Sequence, residues 1–496
     1  MLDVSLATSG LVFLVTLFLM WLAFTVSRRQ NEPPGPFPLP VVGNVLLMRI
    51  AGTDILDTLR RFARQYGPIF SLKLGQMNLV FISDAKIMQE SFVKQASDFS
   101  DRPRDVLPIL KFLDEKVGSG VILSNGVAWQ ELRRVSLTAM RELGVGKKSL
   151  EEKVMEETSV ILEQLSRLEG APYHMKPILS KATSNVICNV IFGTRFEHDD
   201  KTFEKLLFHI QNAFRVNPLF QTINFFPFLR HIPGFMQVPN MFLKTFMETD
   251  EYVKELMKGH EATYDPDNIR DFVDLLIEVR TQNKGNRHFT ATNMRRVIVD
   301  LFTAGSDTTA NALYWAMLLM AAHPEVQRRC HEEIDSVVGR SRQVTIADKA
   351  QLKYIEATIL EVLRMGIIAP FTVPHCAARD TSIRGYHIPK DTVIIGTIFH
   401  MNRDPTQFPE PDKFKPERFL DDKGNLINRD RVVSFSAGPR SCLGEILAKM
   451  ELNLIFPSIL QRYTICPVAP DQPVNLDLSV GLTVQGKEQN LVFKKR

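Results

Sequence analysis

Residues 435–445 read Phe-Ser-Ala-Gly-Pro-Arg-Ser-Cys-Leu-Gly-Glu, and Cys442 in that string has the surroundings of a metal ligand. A thiolate holds a metal only if its negative charge is stabilised and its sulfur is aimed. Backbone N–H groups of a glycine-bearing turn, and the N-terminus of a helix that follows, supply both. Arg440 stands two positions before the sulfur, and an apolar helix-like run, Leu443 to Phe456, follows until Pro457 closes it. Gly438 and Gly444 let the backbone approach a flat ligand closely. A lone cysteine is ordinarily a small buried hydrophobe. The flanks set this one apart.

Three further groupings have chemical spacing. Ala304-Gly305-Ser306-Asp307-Thr308-Thr309 lies in the middle of a long helical pattern, Met294 to Ala322, that would run about 43 Å. A glycine there costs about 1 kcal/mol relative to alanine, and an acid beside two hydroxyls competes for backbone hydrogen bonds. A purely structural helix gains nothing from the combination. Glu361 and Arg364 share a helix face at i and i+3 and can pair. Trp129 and Arg133 sit at i and i+4.

The elements that must position these residues are mostly helices. Segments with a 3.6-residue period are Asp54 to Tyr66, Val127 to Glu142, Leu150 to Arg167, Glu325 to Val338 and Leu352 to Arg364, besides the long one. Short strands are expected at Ile69–Leu74, Leu79–Ile82, Thr381–Ile383 and Thr392–Thr397. The class is mainly α with a small β part. No linker or repeat divides the 496 residues, so one large domain (41–496) is expected behind an anchor (1–27) and a proline-rich hinge (28–40). Val4 to Val26 carries no charge and would span about 34 Å as a helix, enough for a membrane. Arg28 and Arg29 follow it, which puts the body on the cytosolic side. The prolines from Pro33 to Pro40 make a stiff spacer. A net charge of +4 gives no support for nucleic-acid binding. Five cysteines without a C-x-x-C pair argue against a zinc site and a disulfide framework.

Taken together, Phe435, Gly438, Arg440, Cys442 and Gly444 resemble the haem-binding loop of the cytochrome P450 monooxygenases. The anchor, the proline hinge, W-x-x-x-R, A-G-x-D-T-T, E-x-x-R, P-E-R-F and the cysteine loop occur in family order along the whole chain, closest to the microsomal, family 2 branch. The resemblance implies a single haem-binding domain of that family's type, with Cys442 the axial ligand of haem b iron. Ala304 and Gly305 would lie over the haem and leave room for dioxygen, with Thr308 donating a hydrogen bond and Asp307 feeding protons. Trp129, Arg133, Arg440, His375 and Arg102 match the family's contacts to the haem propionates. Arg418, in Phe414-Lys415-Pro416-Glu417-Arg418-Phe419, would join Glu361 and Arg364 in a buried structural cluster. Asp307 stands where that branch more often has glutamate.

The implied activity is insertion of one oxygen atom of O2 into a lipophilic steroid, fatty acid or xenobiotic at the endoplasmic reticulum membrane. The chain has no flavin or nicotinamide fingerprint. Electrons would therefore come from the NADPH-dependent P450 reductase, with cytochrome b5 as a further donor, docking near Arg133, Arg134, Arg141, Lys147 and Lys148. Substrate walls would come from Val106–Val121, Phe203–Phe228, Val299–Ala304, Ile367–Val373 and Gly481–Val484, and the phenylalanines of the second serve either the core or lipid contact. Two other readings stay open on sequence: a thiolate-haem isomerase or dehydratase of lipid hydroperoxides, and a non-catalytic haem or lipid carrier. The Asp307-Thr308 pair weighs against both.

Overall fold

The computed structural model describes the backbone of residues 2–28, 31–50, 55–215, 222–469 and 471–496, and their side chains except at 2–7, 23–28, 49, 213 and 238. The chain is mainly helical with small sheets. It forms two compact units, Met1–Val106 with Phe371–Thr397, and Leu107–Pro370 with Ile398–Arg496.

The first unit is built on a four-stranded sheet. Strands β1 (Ile69–Leu74) and β2 (Met77–Ile82) form a hairpin, with Gly75 at φ 60° in the turn. Four strands follow much later: β3 (His375–Cys376), β4 (Thr381–Ile383), β5 (Tyr386–Ile388) and β6 (Val393–Gly396). The sheet order is β1-β2-β6-β3, with β6 parallel to β2. β6 is buried along its whole length, as a strand in mid-sheet requires. β4 and β5 make a separate hairpin whose turn residues, Arg384 and Gly385, both take positive φ, the geometry that matches strand twist.

Helices α1 (Leu2–Arg28), α2 (Val45–Ile50), α3 (Ile55–Tyr66), α4 (Ala85–Gln89) and α5 (Ala96–Phe99) complete this unit. α3 buries Leu56, Leu59 and Ala63 along one face and exposes Arg61 and Arg64. The expected anchor forms α1, in which Leu11, Phe13, Leu14 and Leu19 are exposed. Among the described residues no helix is long and apolar enough to cross a membrane. The two ends of that anchor and the arginines after it lie outside the described side chains. Trp21 of α1 meets Phe37 of the proline segment edge-on at 5.3 Å.

The second unit is helical: α6 (Pro108–Val117), α7 (Gly120–Leu123), α8 (Gly126–Glu142), α9 (Lys148–Arg167), α10 (Lys176–Phe192), α11 (Lys201–Phe214), α12 (Thr222–Phe225), α13 (Gln237–Thr263), α14 (Phe272–Gln282), α15 (Ala291–Ala322), α16 (Pro324–Val337), α17 (Lys353–Gly366), α18 (Ile398–Met401) and α19 (Glu445–Arg462). Two small antiparallel pairs close it, β7 (Tyr463–Cys466) with β10 (Val492–Lys495), and β8 (Leu478–Val480) with β9 (Val484–Gly486). α15 is the axis. Thr290 caps it by accepting from the Asn293 N–H, and α7, α10, α13, α17 and α19 pack on it. The expected stop at Pro457 does not occur; α19 runs through it to Arg462. Proline forfeits one helix bond, but burial of Leu452 to Leu460 on every side outweighs that loss.

Candidate active site

Cys442 is positioned by its own loop. Ser436 (φ 63°) and Gly438 (φ 78°) turn the chain. The Cys442 N–H donates to the Phe435 carbonyl and the Ser441 N–H to the Gly438 carbonyl, both at 3.0 Å. Burial pushes the Cys442 thiol up, while the Gly444 N–H and the Arg133 guanidinium draw it down. The side chain is nonetheless exposed. The sulfur is thus crowded by protein and still open on one side. A Cβ on Gly444, whose φ is an ordinary −88°, would touch no protein atom within 4 Å. Neither backbone conformation nor protein packing asks for glycine there, so it leaves a cradle beside the sulfur.

Cations and an unused donor surround this loop. Arg440 is buried, donates to the carbonyls of Ser124 (2.6 Å) and Val121 (3.3 Å), and lies 3.9 Å over the Trp129 ring. Arg133 donates to the Ser441 carbonyl at 2.8 Å. The Trp129 Nε1–H is buried with no partner. An unmet buried donor is costly, and beside two guanidinium groups it suits a carboxylate of a bound ligand. A flat, dianionic, thiolate-held group fits these residues. The other cysteines offer less. Cys330 is wholly enclosed between α16 and α17, 3.5 Å from the Thr358 hydroxyl, and burial pushes it up to about 12. Cys188 and Cys376 are raised by burial too. Of Arg133, Arg134, Arg141, Lys147 and Lys148, all but Arg133 are exposed.

α15 presents two chemically different faces. Ala304 is exposed and Gly305 and Thr308 half-exposed, in an otherwise buried stretch. The Thr308 hydroxyl donates to the Ala304 carbonyl at 3.0 Å. A Cβ at Gly305 would come 3.1 Å from Ile187 of α10, so this glycine serves close helix packing. Asp307 points the other way. It is 1% exposed and accepts from Asn311 Nδ2 (2.7 Å) and Thr483 Oγ1 (3.2 Å), and burial pushes its carboxyl up. Thr309 bonds Glu451 of α19, whose wholly buried carboxyl burial pushes up to about 8.

One turn before the open face is a pair that the motifs did not reveal. Asp300 accepts from the N–H groups of Val121 and Ile122 (3.0 Å each) and from Arg296 Nε (2.8 Å). A Cβ on Gly120 would collide with it at 2.3 Å. Asp300 therefore holds α7, whose end Arg440 grips, so α15 and the cysteine loop are linked through two charges. The i, i+4 spacing of Arg296 and Asp300 was the available signal.

Glu361 and Arg364 are both fully buried and form a bidentate pair at 2.7 and 2.9 Å, and Arg418 Nε adds 3.1 Å. Arg364 also donates to the carbonyls of Asn402, Pro411 and Lys413. Asn402 in turn accepts from the Val433 N–H, two residues short of Phe435. Ile367, which opens one expected wall, takes φ 44°, rare for a branched residue. In the Phe203–Phe228 stretch Phe203, Phe214 and Phe225 are buried, Phe208 and Phe228 are exposed, and Phe220 lies outside the described residues.

Arg102 and His375 belong to the first unit, where they are neighbours. Arg102 Nη1 donates to the carbonyls of Val373 (2.8 Å) and Pro374 (2.9 Å). His375 Nδ1 lies 2.6 Å from the Phe99 carbonyl and its ring stacks on Phe92 at 3.8 Å.

A family model described as Cytochrome P450 matches residues 33–493. The chain is 37% identical to Cytochrome P450 2H1 of Gallus gallus, over 91% of each chain. It is 38% identical to Cytochrome P450 2C20 of Macaca fascicularis, over 93% of each. Against Cytochrome P450 2U1 of Rattus norvegicus it is 36% identical, over 97% of this chain and 94% of the relative. Loop, cations and matches agree: the chain belongs to the cytochrome P450 family of thiolate-ligated haem b oxidoreductases, and is a monooxygenase.

Proposed function

We propose that Cys442 is the axial ligand and that this monooxygenase works on a lipophilic substrate at the cytosolic face of the endoplasmic reticulum, taking electrons from the NADPH-dependent P450 reductase. The reaction balances as RH + O2 + NADPH + H+ giving ROH, H2O and NADP+. When bound, thiolate-ligated haem supplies O–O cleavage through electron donation from sulfur. The observation that carries the reading is the Cys442 thiol itself, exposed yet desolvated, with the Gly444 N–H bonded to it and the Arg133 guanidinium beside it on the Ser441 carbonyl.

Each residue then has a task. Trp129 Nε1, Arg133 and Arg440 hold the haem carboxylates, and for Arg102 and His375 the family motif alone supports a propionate contact. Ala304 gives the reacting side a small, exposed surface, while the missing side chain of Gly305 makes room for Ile187 and not for dioxygen. Thr308 offers its hydroxyl there and Asp307 holds the proton reserve behind it. Glu361, Arg364 and Arg418 fix the segment that leads into the cysteine loop. A Cβ on Gly146 would lie 3.3 Å from Ile446, which brings the exposed Lys147 and Lys148 beside the start of α19 and supports docking of the reductase, and of cytochrome b5, on that side. The uncharged Val4–Val26 run and the exposed apolar side chains of α1 support an anchor, and Phe208 and Phe228 support contact with lipid.

The test is Cys442→Ser. It should abolish the red-shifted band of the reduced CO complex; an unchanged band would mean that another residue holds the iron.

A further inference from the structure

The hairpin β8–β9 ties four elements together through four consecutive residues. The Leu482 N–H donates to the Phe214 carbonyl at the end of α11 (2.8 Å). The Thr483 hydroxyl donates to Asp307 of α15 (3.2 Å). The Val484 N–H donates to the Ile368 carbonyl just beyond α17 (2.9 Å). The Gln485 side chain accepts from the Lys176 ammonium at the start of α10. Gly481 makes the approach possible, since a Cβ there would strike the Phe214 carbonyl at 2.3 Å.

The side chains in this hub are buried and incompletely matched. Lys176, Asp307, Asn311, Thr483 and Gln485 are each no more than 5% exposed. Asp307 Oδ1, Asn311 Oδ1 and Gln485 Nε2 have no partner. The charges that bear on Asp307 are Lys176 and Arg215, and Glu488 in turn bears on Lys176. Arg215 and Glu488 form an exposed ion pair at 2.6 Å. Asp307 has one oxygen held by Asn311 and Thr483 and one oxygen free. Its orientation is therefore set from two sides, by Asn311 one turn along its own helix and by Thr483 of the hairpin.

We propose that the β8–β9 hairpin sets the side-chain position and proton affinity of Asp307, with Thr483 and Lys176 as positioning residues for the proton supply to Thr308. The proposal rests on the role given to Asp307 above. Movement of Leu482 or Val484 against the α11 and α17 ends would reach Asp307 through the intervening Thr483. No other described hairpin side chain bonds α15's acid. A hairpin whose position depends on the pocket walls would thus adjust proton delivery to the state of those walls.

The experiment uses the full-length holoenzyme with its reductase and compares Thr483→Val, Thr483→Ser and Lys176→Met, with Asp307→Asn and Thr308→Ala as references. Two readouts are taken: the infrared carboxyl band of Asp307 against pH, assigned by its loss in Asp307→Asn, and the peroxide released per NADPH consumed. Peroxide release is O2 + NADPH + H+ giving H2O2 and NADP+. Thr483→Val should shift the band's midpoint by at least half a pH unit and raise the peroxide share about threefold at unchanged haem content, and Thr483→Ser should restore both. If Thr483→Val fails to bind haem, Lys176→Met carries the same expectation. An unmoved midpoint and peroxide share in Thr483→Val and Lys176→Met, with Asp307→Asn raising peroxide, would overturn the hairpin's role alone. No rise in peroxide with Asp307→Asn and Thr308→Ala would sink the proton-supply reading on which it stands.

Discussion

The cysteine loop and the middle of α15 treat polar atoms in opposite ways. Around Cys442 the cations are used on backbone: Arg440 on Val121 and Ser124, Arg133 on Ser441, and Arg364 on three carbonyls of the segment upstream. In the middle of α15 the acid is held by side chains alone, Asn311 and Thr483, and Asp307, Asn311 and Thr303 each keep a buried oxygen without a partner. Backbone ties fix a position, because carbonyls cannot rotate away. Side-chain ties with unmet atoms leave alternative arrangements within reach. The cysteine loop is thus built to hold still and the middle of α15 to rearrange.

The comparison breaks first at Glu361. Glu361→Gln would leave two buried guanidinium groups short of their carboxylate, a loss of about 3–5 kcal/mol, and the holoprotein fraction read from the CO spectrum should collapse. Retention of normal haem content would show that the loop does not depend on its upstream ties. Arg440→Leu comes next. It removes two charged hydrogen bonds and the contact over Trp129, worth roughly 2–4 kcal/mol. Haem transfer to apomyoglobin should speed up at least tenfold, with the remaining holoenzyme still thiolate-ligated.

The smallest effect joins the two regions. Burial raises the Glu451 carboxyl to about 8, far above its unfolded value near 4.5. Between those values the folded state binds the extra proton, so stability falls as pH rises through that window and levels off above it. Wild type should therefore lose melting temperature between pH 5 and pH 8 relative to Glu451→Gln, by an amount corresponding to roughly 1–3 kcal/mol. Parallel curves would mean that Glu451 is not the group that couples α19 to α15.

What could be read from the sequence was what repeats or clusters locally. Ile69–Leu74 and Thr381–Ile383 were placed at their observed bounds, and α8, α9, α15, α16 and α17 within three residues, because each shows one apolar face or sits in a continuous apolar run. α10 carries no periodic signal in the sequence. Nearly all of its residues from Lys176 to Phe192 are buried, so no polar face alternates with an apolar one and the periodic signal vanishes. Local propensity alone makes Pro457 a helix stop, and the packing around α19 overrides it. The hub of Lys176, Asp307, Thr483 and Gln485 was illegible for a different reason: it joins three stretches that lie more than a hundred residues apart, and none of its members stands in a motif except Asp307. The division into two units was equally hidden, since Phe371–Thr397 returns to the first unit with no change of composition to mark it.

Where Gly305 meets Ile187, two helices share one parcel of space, with all of its volume assigned to α10. Isoleucine fills on one side what the missing side chain yields on the other, so the sizes at 187 and 305 cannot drift independently. A lineage that enlarges residue 305 would have to shrink residue 187 at the same time or force the two rods apart, displacing Thr308 along with the backbone that carries it.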